Sequence, residues 1–276
     1  MRQGRNLWAA IRSPVLHLRS RKVIMKKDVD TLAAWHVLAK KLLDIGYEIA
    51  GASAPALKGN NDRENDIRLI AVLLVARSLS NMRGMLTMIR EQQIVEARTL
   101  ARCIHENFFW MAGFVHDPEK FRQTLIDEDT KRKSLQAQTL FAGGDLPDAL
   151  KRKLRQWSRD NRGQDAKSTA PRELARHADV QNAYLLYSML SADAHPTLHA
   201  LYRYVITNTD QRISEIDLSP APLESEQAET VSLGCFALVQ VLVCACAILG
   251  AGAAERVNSL AHEYLHLMEV QANASS

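Results

Sequence analysis

A chain of 276 residues is long enough for one large domain or two small ones, and an apolar content of 47% permits a substantial core and excludes a disordered polymer. Glycine (12) and proline (8) are too scarce for the many turns of a sandwich or barrel, so helices are favoured. The net charge of +4 is too small to specify a nucleic-acid partner, but residues 1–27 carry eight Lys or Arg and no acid. This basic arm suits a nucleic acid or an anionic membrane; the plainer alternatives are a solvated tail, or residues ahead of a true start at Met25.

In chain order, the pattern predicts a weak helix over 5–12 and a clearer one from about Asp28 to Gly51, broken by the tract AGASAPALKGNN. Asp62 or Asn65 is expected to cap a helix running to about Ile89, with apolar residues at Ile67, Leu69, Ile70, Leu73, Leu74 and Leu79. The polar joint REQQ leads into a helix from Ile94 to Val115, which ends at His116-Asp117-Pro118. A charged helix over 119–141 and a basic helix over 147–160 follow. The next helix is predicted from Pro171 to Asp193, and Pro196 is expected to open a short one reaching Tyr204. Residues 207–226 read as a polar surface loop, and two last helices cover 227–249 and 254–270. The expected organisation is a basic arm over 1–27 and a single all-α bundle of about eight helices over 28–272.

Cys103, Cys235, Cys244 and Cys246 form no CxxC pair and sit in apolar runs, as reduced buried thiols do. The N-terminus has no uninterrupted apolar run of the kind a signal peptide needs. From Val231 to Ala254 there is no formal charge, which is long enough to cross a bilayer. Gln240 in mid-segment and the small residues after it favour a central core helix instead. These features point to a cytoplasmic protein without stable membrane insertion.

The tract EARTLARCIHENFFW carries the most chemistry. Arg98, Arg102 and Glu106 stand at i, i+4 and i+8, above one another on a helix that Ile94, Leu100, Ile104 and Phe108 mark as buried. Buried ionic groups are costly unless paired, so this row requires partners. Ser191, Asp193 and His195 supply a hydroxyl, a carboxylate and an imidazole around a helix break, where backbone N–H groups can also receive an anion. The expectation is that the two segments meet in one polar pocket; a network that only fixes helix register is the plainer alternative.

Ser78 through Leu140, with the Tyr187-Ser-Met-Leu-Ser191-x3-His195-Pro196 segment, resembles a bacterial helical family of unknown function, DUF5677. The matching features are Arg102 and Glu106 in an Arg-x3-Glu helix ending in Phe108, Phe109, Asp117 and Pro118, the charged helix after it, and the Ser-x3-His-Pro turn. The resemblance covers about two-thirds of the chain. It implies a cytosolic α-bundle and no established activity. That family is in turn distantly similar to HEPN bundles, many of which are metal-independent ribonucleases of toxin–antitoxin and phage-defence systems. Their Arg-x4–6-His mark occurs here as Arg98-x6-His105 and Arg172-x4-His177, although Thr99 and Glu173 after the arginines depart from the HEPN pattern. Such an enzyme would use His as general base on a ribose hydroxyl and Arg to stabilise phosphorane charge.

His262-Glu263-Tyr264-Leu265-His266 is a literal HExxH, but only ten residues follow, with Glu269 the sole nearby third ligand, so an amphipathic last helix is the simpler reading. No phosphate loop, nucleophile elbow or dinucleotide fingerprint occurs, and no cofactor or metal is expected. Two functions remain. One is a binding or regulatory module for a partner protein or small anion in a defence or stress system. The other is a metal-independent ribonuclease acting on RNA through Arg98 or Arg102 with His105 or His195. A homodimer is compatible with the long helices.

Overall fold

A computed structural model describes residues 31–57, 66–142, 147–160, 169–210 and 212–274. Its organising element is α9 (Glu224–Leu249), in which every residue from Val231 to Cys246 is buried. A helix apolar on all sides must be surrounded on all sides. Here α1 (Thr31–Leu57), α2 (Ile67–Arg90), α3 (Ile94–His116) and α10 (Ala254–Ala274) pack around it. Among the described residues two helices are long and apolar enough to cross a membrane, α2 and α9, and 89% of the apolar window of α9 is buried inside the protein. Glu224 and Glu226 complement the start of the α9 dipole. Gly250 ends the helix in the left-handed conformation (φ 66°), its N–H reaching the Cys246 carbonyl at 3.1 Å.

The second hub is α3, which touches α2 and α9 on its inner side, then α4 (Pro118–Ala142), α6 (Pro171–His177) and α7 (Gln181–Ala194). Helix α5 (Asp148–Asp160) packs on α4, and the short α8 (Leu198–Tyr202) follows α7. The core is mainly aliphatic, threaded by an aromatic series: Trp35 to Tyr264 (5.4 Å between ring centroids), Tyr264 to Phe236 (6.0 Å) and Phe236 to His105 (5.8 Å). The all-α class is as expected, with ten helices among the described residues.

Several local expectations are corrected. Helix α1 does not stop at Gly51 but runs to Leu57 with Pro55 inside its last turn, where the missing N–H removes one backbone hydrogen bond. The cap of α2 is Asp66, not Asp62 or Asn65, with its side chain accepting from the N–H groups of Arg68 (2.9 Å) and Leu69 (3.3 Å). The helix predicted over 171–193 is two helices, because Asp179 turns left-handed (φ 58°) between α6 and α7. Thr197 rather than Pro196 starts α8, its hydroxyl accepting from the Ala200 N–H at 3.2 Å. The basic arm over 1–27, the helix over 5–12 and the candidate caps Asp62 and Asn65 lie outside the described residues.

The largest correction is the stretch expected to be a polar loop. It forms an antiparallel ribbon of β1 (Val205–Thr207) and β2 (Ile213–Ile216). Val205 pairs with Ile216, Ile206 with Glu215 and Thr207 with Ile213, the register slipping by one residue after Ile206. Side chains alternate sides along a strand, so the extra residue in β2 brings Ile213 onto the same face as Ile216 and Val205. The short alternation ISEI, flanked by turn residues, is weak in sequence beside the long helical periods around it.

Candidate functional site

Helices α3 and α7 lie side by side, and their residue pairs run in opposite order: Arg98 with Asp193, Arg102 with Ser191 and Tyr187, Glu106 with Tyr187, and Phe109 with Tyr187. The two segments therefore do meet along one seam.

The seam has a closed end and a half-open end. At the closed end the Arg98 guanidinium is 9% exposed and the Asp193 carboxylate 2%. Arg98 Nε is ion-paired with Asp193, and Nη1 lies 3.3 Å from Glu229 Oε2 on α9. Asp193 is also 3.7 Å from Arg203, which holds Glu226 of α9 through both terminal nitrogens at 2.9 and 2.5 Å. That bidentate bond to Glu226 raises the Arg203 pKa against the cost of burial. Five residues from α3, α7, α9 and the α8–β1 joint thus form one network, in which the buried Arg98 and the half-buried Arg203 share the Asp193 carboxylate.

At the half-open end Arg102 Nε donates to Ser191 Oγ at 3.2 Å, and Nη2 donates to Glu106 Oε1 at 2.8 Å and to the Tyr187 hydroxyl at 3.0 Å. The Tyr187 hydroxyl donates onward to Glu106 at 3.0 Å, and the guanidinium carbon stands 5.2 Å from the Tyr187 ring centre. Burial opposes the Arg102 charge, but Glu106 and Tyr187 outweigh it and the pKa is raised. Burial, foremost, raises the Tyr187 pKa and keeps its proton in place. The side chains of Arg102 and Glu106 are 21% and 30% exposed, so this part of the row reaches solvent.

Neither histidine of the expected site joins this group. His105 turns toward α9: its Nε2 sits 3.2 Å from the Leu233 carbonyl, its ring stacks on Phe236, and it is fully buried. Burial, opposed weakly by the Leu233 carbonyl, lowers its pKa to about 4. His195 is exposed at the C-terminal cap of α7. Because the helices run antiparallel, it lies at the Arg98 end, about 12 Å along the axis from the level of Glu106. Of the expected residues, Arg98, Arg102, Glu106, Ser191 and Asp193 come together, while His105 and His195 stand apart.

Residues the sequence reading did not assign complete the site. Tyr187 was part of a recognised tract but had no role. Arg203, Glu226 and Glu229 had none either, and their only signal was position: two acids just ahead of the uncharged run that starts at Val231 and a lone cation ahead of the ribbon. In the HExxH segment, His262 and His266 are exposed and Glu263 binds Lys41 at 2.8 Å. Among the described residues no group of three or more His, Cys, Asp or Glu is arranged to hold a metal ion. Arg172 is exposed, and His177 Nδ1 lies 3.0 Å from Lys120 Nζ. The four cysteines are free thiols, three of them buried. Burial raises Cys244 to about 12 and Cys246 to about 11. A groove of about 440 Å³ between α1, α2 and α9, lined in part by His36, Thr87 and Arg90, shares no residue with the seam.

The sequence model of the family of unknown function DUF5677 matches residues 68–212, more than half of the chain. The chain belongs to this family. No curated protein and no solved structure matches it. The DUF5677 match contains both sides of the α3–α7 seam, and Glu226 and Glu229 on α9 fall beyond its end.

Proposed function

We propose that this DUF5677 member is a binding or regulatory module, and that it recognises an anionic group of a small molecule or partner protein at the half-open end of the α3–α7 seam. The observation that carries this reading is the division of the row. Arg98 is closed onto carboxylates and His105 is sealed against α9, whereas Arg102 and Glu106 remain 21% and 30% exposed. Arg102 uses Nε and Nη2 inside the protein, which leaves Nη1 to meet an incoming oxygen. Tyr187 and Ser191 hold the guanidinium plane in place before the ligand arrives, which lowers the ordering cost of binding. The burial of α9 inside the protein supports a core helix over a membrane span.

The rival reading is a metal-independent ribonuclease with Arg102 as the cation and His195 as the base. It is favoured by His195 being exposed one turn beyond Ser191. Two assays separate the readings. Phosphate and sulfate should raise the melting temperature of the wild type but not of Arg102→Gln, and RNA should survive incubation with the wild type. RNA cleavage by the wild type that is lost in both His195→Ala and Arg102→Ala would replace the binding module with the nuclease.

A further inference from the structure

The stretch from α8 through the ribbon to the start of α9 exposes apolar side chains that a bundle of this kind ordinarily hides. Leu198 (71% exposed), Leu201 (52%) and Tyr202 (60%) share one face of α8, and Ile206 (44%), Ile213 (63%), Ile216 (62%), Leu218 (86%) and Leu223 (72%) follow. At roughly 150–200 Å² for each large side chain, these residues leave on the order of 800 Å² open. The ribbon's share of that area is divided between its two faces, because Ile206 lies on the face opposite Ile213 and Ile216. Every residue of β2 is exposed, as are Ile206 and Thr207 in β1. A two-stranded ribbon is marginal unless something packs on it.

The sequence of β2 and its flanks points to the occupant. Arg212-Ile213-Ser214-Glu215-Ile216-Asp217 reads, when reversed against itself, cation to anion, apolar to apolar and Ser to Glu. Such self-complementarity under a half-turn is what a two-fold interface requires. Among the described residues β2 pairs with β1 alone, so its other edge is free, and the slip in register puts Ile213 and Ile216 on one face with Arg212 and Asp217 on the other. We infer that β2 binds a second copy of the chain: the free edges of two β2 strands pair antiparallel, Ile213 opposite Ile216 of the second copy and Arg212 opposite its Asp217. This dimer goes beyond the proposed function and does not depend on the α3–α7 seam.

Sedimentation velocity of the full chain over a series of micromolar concentrations tests it. The wild type should form a concentration-dependent dimer. Ile213→Glu with Ile216→Glu should be monomeric with an unchanged helical circular-dichroism spectrum, since both positions are exposed. Arg212→Asp alone and Asp217→Arg alone should each weaken the dimer roughly tenfold by placing like charges together twice per dimer, and the two combined should restore it. A wild type that stays monomeric overturns the proposal and leaves the patch to a different protein or a membrane. A dimer indifferent to the isoleucine changes overturns it too, as does a charge exchange that fails to restore association.

Discussion

Two apolar stretches of this chain meet opposite fates. In α9 all sixteen residues from Val231 to Cys246 are buried, whereas eight large apolar residues between Leu198 and Leu223 face solvent. Apolar content therefore does not decide burial here; the neighbours an element can gather do. A long helix presents a full cylinder that four others surround, while a three-residue strand paired with a four-residue one has too little surface to recruit cover. Between the two lies the ionic network of Arg98, Asp193, Arg203, Glu226 and Glu229. It fastens the root of the ribbon to α3, α7 and α9 where apolar packing is thin.

The largest effect should come from breaking that fastening. Asp193→Ala strands the buried Arg98 guanidinium and removes one partner of Arg203, which should cost about 3–5 kcal/mol in denaturant unfolding. Amide exchange in Val205–Ile216 should rise more than exchange in α9, because the ribbon loses its anchor and the helix does not. Replacing Arg98 and Asp193 together with apolar residues of similar size should recover most of the loss. Uniform exchange in both regions would mean that the network does not hold the ribbon.

The next effect tests the packing of α9 from the α3 side and depends on pH. The His105 pKa is about 4 in the folded protein against an ordinary 6.5, because burial disfavours the charged ring. The unfolded chain therefore binds the proton first. The contribution of neutral His105 is fully present above about pH 6.5 and is lost as the pH falls toward 4. The difference corresponds to about 3 kcal/mol. His105→Leu should flatten this part of the stability profile, and an unaltered profile would show that other groups govern it. A smaller loss, about 1–3 kcal/mol, is expected for Gly113→Ala, where a new Cβ would lie 1.9 Å from the Phe121 ring at the α3–α4 corner.

These elements also mark how far the sequence could be read. The helices of the bundle were legible because their apolar periods are long, and the meeting of α3 with α7 was legible because a buried Arg-x3-Arg-x3-Glu row must find partners. What escaped depended on single backbone angles or on distant neighbours. The left-handed turn at Asp179 splits a helix without a glycine or proline to announce it. Ile213 gains its face from a one-residue slip that composition does not record. The antiparallel order of α3 and α7 sets His195 beside the wrong end of the row. His105 matched a catalytic spacing, but the same face of α3 that carries it is the one pressed against α9.

The smallest expected effect sharpens the comparison most. Leu238 in α9 is fully buried and Ile213 is 63% exposed. Leu238→Ala should cost about 2–5 kcal/mol at any protein concentration, since it leaves a cavity in a dry core. Ile213→Ser should change the stability of a dilute sample by no more than about 0.5 kcal/mol, because an exposed side chain has little burial to lose. If β2 pairs with a second copy, that cost should grow as the concentration rises, since association stabilises only the folded chain that can associate. A cost for Ile213→Ser that is large in dilute solution would place this side chain inside the protein's own core and erase the distinction between the two stretches. A cost that stays near zero at every concentration would leave the ribbon bare.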